Sequence, residues 1–202
     1  MNPNQCRTTP DDLFQALERR FGAFDLDAAA SADNARCEFF IDEITDALSP
    51  DTSWVHNLRH EPIHNVFCNP PWQNVAPWYE KAFHEAQKHP DAQIVLVTLQ
   101  TWAKRAVPWI ERSSEYLPLV GRPMFKIPEG WYKCKVRGCR HSFKSPLWPS
   151  TGPVVPLCPL CEGRSVPQLN SSPDQDIQVV IFRHNPDNKP PKFEFWDWKN
   201  QA

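Results

Sequence analysis

Four consecutive residues, Asn69-Pro70-Pro71-Trp72, carry the groups needed to handle an amine conjugated to an aromatic ring. Such an amine is a poor nucleophile because its lone pair is delocalised into the ring. The Asn69 amide oxygen and the Pro70 carbonyl can accept its two hydrogens. That favours a pyramidal nitrogen whose lone pair can attack an electrophilic methyl. Two successive prolines fix the backbone, so both acceptors are placed before reaction rather than during it. Trp72 offers a π-face to a ring drawn out of a nucleic-acid stack.

A second constellation serves a metal. Cys134-x4-Cys139 and Cys158-x2-Cys161 are two close pairs within 28 positions. Four thiolates close a tetrahedral shell around zinc, and short spacings let each turn present two sulfurs. His141 could stand in for one thiolate. With four protein ligands no position is left for water, so the expected zinc is structural. It would supply the folding energy of a segment with almost no core of its own. Cys6, Cys37 and Cys68 show no such spacing and read as small apolar fillers.

These groups must be held by elements. Thr9 reads as the N-cap of a helix with Pro10 at its first position, Asp11 and Asp12 in its first turn, and Leu13, Phe14, Leu17 and Phe21 on one face; Gly22 ends it. The Phe24 to Ala30 stretch reads as a short strand and tight turn, with a second helix starting near Ser31 or Asp33. A further short strand is expected over Cys37 to Ile41, then an acidic loop or short helix from Asp42 to Asp51. The run Val66-Phe67-Cys68 must stop at the prolines, which cannot donate to a sheet ladder. Pro77 opens a helix bearing Trp78, Ala82, Phe83 and Ala86 on one face. The unbroken run Ile94 to Leu99 predicts a strand buried on both faces, as in a parallel sheet. Further strands are expected over Tyr116 to Phe125 and Ile177 to Phe182, with Lys192 to Trp198 at an edge. Alternating strands and helices predict an α/β sheet covered on both faces. The expected organisation is a core at 1–128, an inserted zinc-ribbon-like subdomain at 129–170, and strands completing the core at 171–202.

Composition narrows the partners. Charged residues are 23% of the 202 and hydrophobic ones 41%, which suits a folded domain. The 22 prolines lie among nine tryptophans and twelve phenylalanines, so they read as loop punctuation rather than as a disordered tract. Net charge is −2, yet Lys126, Lys133, Lys135, Arg137, Arg140 and Lys144 face Glu129 alone between 126 and 144. That segment carries +5 and the rest −7. A cationic patch on an acidic body can hold phosphates, and Lys133, Lys135, Arg137 and Arg140 are the candidate DNA contacts. A solvated charged loop would carry the same residues. No signal segment is visible, and no run is long enough to span a bilayer, so a cytoplasmic protein with no membrane partner is expected, in a bacterial host if phage-encoded.

The chain resembles the phage-type DNA N-6-adenine-methyltransferase (Dam-like) family. The resemblance rests on Thr9-Pro10-x2-Leu13-Phe14, Phe24-x-Leu26-Asp27-x-Ala29-Ala30, Asn34-Ala35, Phe39-Phe40, Asp46-x-Leu48 and Cys68-Asn69-Pro70-Pro71-Trp72. Trp102, Gly121-Arg122-x2-Phe125 and Val179-Val180-Ile181-Phe182 also fit. It implies a Rossmann-like fold using S-adenosylmethionine to methylate the exocyclic amine of adenine in DNA. It further implies catalytic roles for Asn69, Pro70, Pro71 and Trp72, and a donor pocket lined by Thr9, Pro10, Asp27, Ala29 and Asp46. Three features depart from the pattern: no Gly-x-Gly loop, Trp72 where Tyr is commoner, and the added cysteine segment. Methylation of the cytosine amine uses the same acceptor logic and remains an alternative, as does a non-catalytic zinc-ribbon nucleic-acid module. Carbon-5 methylation of cytosine needs a cysteine nucleophile, usually after proline, and no proline here directly precedes a cysteine. Oligomeric state and target sequence are not encoded legibly.

Overall fold

The computed structural model describes residues 8–56, 62–101, 104–126, 130–139, 141–145, 155–167, 170–171 and 175–200. It divides into two compact units, Asp11–Pro123 with Pro173–Ala202, and Met1–Pro10 with Met124–Ser172.

The larger unit is a mixed α/β assembly. Its elements are α1 (Asp11–Phe21), β1 (Leu26–Asp27), β2 (Phe39–Phe40), β3 (Asn65–Cys68), α2 (Ala76–Lys88), β4 (Gln93–Leu99), α3 (Val107–Ile110) and β5 (Glu115–Pro118). The smaller unit contributes β6 (Phe125–Lys126), β7 (Trp131–Cys134), β8 (Ser142–Lys144), β9 (Ser165–Pro167) and β10 (Asn170–Ser171). The chain then returns to the larger unit with β11 (Ile177–Arg183) and β12 (Lys192–Phe193).

Seven strands form one sheet in the order β12-β5-β11-β4-β3-β1-β2. Every pairing is parallel except the two made by β11, which runs against β4 and β5. The buried runs explain this: Ile94 to Thr98 and Ile177 to Phe182 are buried without a break, as central strands covered on both faces must be. One cover is α2, whose Tyr79, Ala82 and Ala86 share a buried cluster with Val66, Cys68, Ile94, Leu96, Val180 and Phe182. The opposite face meets α1, where Phe14 stands edge-on to Phe67 with centroids 5.1 Å apart.

Strand order also fixes where a ligand can sit. From β1 the chain goes out to the edge strand β2, then returns to β3 on the other side of β1. Open α/β sheets bind ligands beyond the carboxyl ends of their strands at such a reversal. Here those ends are Asp27 and Cys68, followed by Ala28 and Asn69.

Several local expectations are corrected. Thr9 does not cap α1: its hydroxyl has no hydrogen-bond partner among the described residues, and the Leu13 N–H donates to Asp12 Oδ1 at 2.9 Å instead. No helix starts near Ser31. Residues 31–38 form turns, in which Asn34 Oδ1 accepts from the Ser31 N–H (2.7 Å) and hydroxyl (3.1 Å); such local bonds compete with helix formation. Tyr116 to Phe125 is not one strand. The chain leaves β5 at Pro118 and turns at Gly121, whose φ of 81° favours glycine. Phe125–Lys126 then pairs with β10 in the smaller unit. The edge strand expected from Lys192 to Trp198 shortens to Lys192–Phe193.

The smaller unit is built differently. A three-stranded antiparallel sheet of order β8-β7-β9 stands beside the β6–β10 pair. Its buried side chains include Phe125, Trp131, Tyr132, Cys134 and Cys158, a slight core for independent stability.

Candidate functional site

The corner after β3 forms as its prolines require. Pro71 sits at φ −55°, ψ 122°, and a single 3-10 turn over Trp72–Asn74 follows before α2. Pro70 is buried, while Asn69 and Trp72 are half-buried. The Trp72 indole N–H donates to Asn69 Oδ1 at 3.1 Å. That bond sets the orientation of the Asn69 amide and leaves a second lone pair on its oxygen.

Across the reversal point, the residues after β1 are fixed from several sides. Leu26 and Asp27 stand in register with Val66 and Phe67, and the Ala28 N–H donates to the Phe67 carbonyl at 2.8 Å. Asp27 is buried, and its carboxylate accepts the N–H groups of Ala29 (3.2 Å) and Arg36 (3.1 Å). Burial pushes its pKa up to about 6, against the lowering effect of those two bonds and of the Arg36 charge. Arg36 also pairs with Asp11 at 2.7 Å and lies over the Phe14 ring at 4.6 Å. Ala29 and Trp72 pack against the same core cluster, so the larger unit gathers Asp27, Ala29 and the Asn69–Trp72 corner.

The remaining expected residues fall elsewhere. Asp46 is exposed at φ 53°, and its carboxylate accepts the Leu48 N–H at 3.0 Å, closing a turn. Thr9 and Pro10 belong to the smaller unit, where the Thr9 hydroxyl is buried and unpartnered. Lys133, Lys135 and Arg137 are exposed; Arg140, Trp102 and Cys6 lie outside the described residues.

Cys68, just before the corner, is fully buried. Burial, with a smaller push from the Asp27 charge, drives its thiol well above the usual range. Cys37 is likewise raised to about 12, chiefly by burial. Neither thiol is poised as a nucleophile, since the thiolate is the reactive form.

Beside the corner lies a hollow of about 240 Å³ that sequence reasoning missed. Residues 72–76 form one wall, and residues 99–101 and 104–106, at and beyond the end of β4, form another. One signal was available: Lys104 and Arg105 closely follow a buried parallel strand, at the end where ligands bind.

In the smaller unit the sulfurs of Cys134, Cys139, Cys158 and Cys161 all lie within 4.8 Å of one another. Cys134 and Cys161 are 3.5 Å apart, Cys139 and Cys158 3.8 Å. A tetrahedron with Zn–S bonds of about 2.3 Å has sulfurs about 3.8 Å apart, so the set has the size of a zinc shell. Turn geometry supports it. The Val136 N–H donates to Cys134 Sγ at 3.4 Å, and the Cys158 N–H donates to the Gly163 carbonyl at 2.9 Å. A Cβ on Gly163 would stand 2.1 Å from Val136 Cγ2, so no larger residue fits without a shift. His141 is not part of the cluster; its ring stacks on Phe143 at 5.8 Å.

A family model described as DNA N-6-adenine-methyltransferase (Dam) matches residues 4–115, just over half of the chain. Over 89 residues, 44% of the chain, the sequence is 32% identical to a DNA N-6-adenine-methyltransferase of Escherichia phage T1. The matched part spans about a third (34%) of that relative's length. The family model's match takes in the corner after β3 and ends before the four cysteines.

Proposed function

Because the chain belongs to the DNA N-6-adenine-methyltransferase (Dam) family, we propose that it transfers a methyl group from S-adenosylmethionine to the exocyclic amine of adenine in DNA. The observation that carries this reading is the position of Asn69 and Pro70. They stand just past β3, beside the end of β1, where the strand order reverses.

The Rossmann-like reading of the sheet makes that reversal the floor of the active site. S-adenosylmethionine, when bound, supplies the electrophilic methyl. Asn69 Oδ1 and the Pro70 carbonyl accept the hydrogens of the target amine and hold its lone pair outward. Asn69 can do so while keeping Trp72, since an amide oxygen accepts two hydrogen bonds. Trp72 stacks on the extruded base, and Pro71 keeps the corner rigid.

The chain's residues fit the donor. The small Ala29 leaves room above the β1 turn, while Asp27 shapes that turn through its two main-chain bonds. Asp46 keeps acceptor capacity for the donor's hydroxyls or amine after its single turn bond.

The four cysteines hold a structural zinc in a ribbon-like subdomain, supported by their sulfur spacing. Lys133, Lys135, Arg137 and Arg140 then offer charge to the DNA backbone.

The test uses purified protein, isotopically labelled donor and unmethylated DNA. Asn69→Ala is expected to bind donor normally in calorimetry but to lose about 100- to 1,000-fold in turnover, the usual loss for one preorganised polar partner of a transition state. An Asn69→Ala variant that turns over at the wild-type rate would overturn the reading.

A further inference from the structure

The cations of the larger unit are mostly accounted for. Arg20 pairs with Glu115 and Glu194, Arg36 with Asp11, Arg122 with Asp176, and Arg183 with Glu115. Among the described residues Arg19, Arg112 and Lys199 enter no ion pair, and neither do the neighbours Lys104 and Arg105. Lys104 and Arg105 are both exposed. They stand together in the turn after β4, on the wall of the hollow beside the corner.

The lining of that hollow has one sign. Its polar members besides Lys104 and Arg105 are neutral, among them Gln73, Gln100 and Gln175, and among the described residues no carboxylate lines it. In a chain of net charge −2, a hollow whose described lining holds two cations and no acid favours an anionic occupant. Trp72 belongs both to the hollow's wall and to the Asn-Pro-Pro-Trp corner. Whatever stacks on Trp72 therefore carries its attached groups toward Lys104 and Arg105. At about 240 Å³ the hollow is below the 300–1,000 Å³ typical of small-molecule pockets, which suits part of a nucleotide rather than a whole cofactor.

We propose that Lys104 and Arg105 bind the phosphates flanking the extruded nucleotide, with the hollow receiving that nucleotide against Trp72. The ligand class is a nucleic-acid strand opened at one base. This deepens the reading of Trp72 as the stacking partner and rests on it. An arginine fork and a lysine point charge are the usual pair of groups for phosphate oxygens. This cationic pair is separate in sequence and in structural unit from Lys133, Lys135 and Arg137 of the ribbon.

The test compares wild type with the double variant Lys104→Gln/Arg105→Gln, as full-length protein. Binding of a fluorescein-labelled duplex is measured by anisotropy over a range of salt concentrations. Each phosphate contact contributes about 0.9 to the slope of log affinity against log salt, so the double variant is expected to lose about 1.8 from that slope. Its affinity should fall at least about tenfold near physiological salt, with donor affinity unchanged. The charge-keeping variant Lys104→Arg/Arg105→Lys should recover most of the slope, which a folding defect would not. A wild-type slope in the Gln variant, or a lost slope that the charge-keeping variant does not recover, would overturn the proposal. Because binding is read without turnover, failure of the methylation reading shows separately, as wild-type protein that binds the duplex but transfers no methyl.

Discussion

β4 and β11 bury Ile94 to Thr98 and Ile177 to Phe182 side by side, and α2 packs against both. The ribbon buries Trp131, Tyr132 and two of its own cysteines, and then gathers four sulfurs. The first region draws its shape from apolar area removed from water. The second has little such area, and its four clustered sulfurs could hold a metal that takes over the role of the core. The two regions also differ in how they prepare for a ligand. The sheet positions polar groups at its carboxyl edge by topology, whereas the smaller unit exposes Lys133 on β7 and Lys135 and Arg137 in the segment that follows it.

The largest effect that would separate the regions is metal removal. Chelation, or Cys158→Ser, should abolish a binding energy on the order of 10 kcal/mol, as in other structural zinc sites. Limited proteolysis is then expected to cut between 130 and 167 while the larger unit stays protected, and metal analysis should fall from one zinc per chain to none. A ribbon equally protected without metal would erase the distinction.

The converse experiment is Leu96→Ala, which opens a cavity under α2. It should cost about 2–5 kcal/mol in denaturant unfolding of the larger unit, with zinc content unchanged. Loss of zinc in this variant would show that the regions are not independent.

A smaller effect is expected at the corner. Trp72→Phe keeps an aromatic face but removes the N–H that holds Asn69 Oδ1. Losing one such bond is worth about 1 kcal/mol, a five- to tenfold fall in kcat. Unchanged kcat would mean that the bond does not position Asn69.

A further effect concerns pH. Asp27 has a folded pKa of about 6, above its ordinary 3.8. The folded state therefore holds the proton more tightly than the unfolded state. The resulting stability is fully present below 3.8 and is lost as pH rises through about 6. The stability–pH curve should fall by about 1–3 kcal/mol over that window, and Asp27→Asn should flatten it. An identical curve in that variant would contradict the buried-carboxylate account.

Much of the frame was legible because long elements advertise themselves. α1 shows helical spacing in Leu13, Phe14 and Leu17, and β4 and β11 are unbroken apolar runs. The corner was legible because prolines dictate backbone, and the clustering of the four cysteines because their close pair spacing is that of a metal shell. Short features were less so. β1 and β2 fall within the short strands expected over Phe24 to Ala30 and Cys37 to Ile41 but pair over two residues each, too few for a period to fix their bounds. The turn at 31–38 reads as a helix until the Asn34 side chain is seen to satisfy Ser31. The hollow draws on 72–76, 99–101, 104–106 and Gln175, segments with no shared motif, so only the folded chain joins them. The Trp72–Asn69 bond was hidden for another reason: tryptophan suggested stacking, and nothing in the sequence told that its N–H would turn back on Asn69.

The central claim is that the corner at the end of β3 presents two oxygen acceptors to an adenine amine. It is tested most directly by incubating wild-type protein with S-adenosylmethionine and unmethylated DNA, digesting the DNA to nucleosides, and identifying the methylated base by mass spectrometry. The account predicts N6-methyladenine with wild type and none with Asn69→Ala. Methyl found only on cytosine, or on no base although the donor binds, would contradict it.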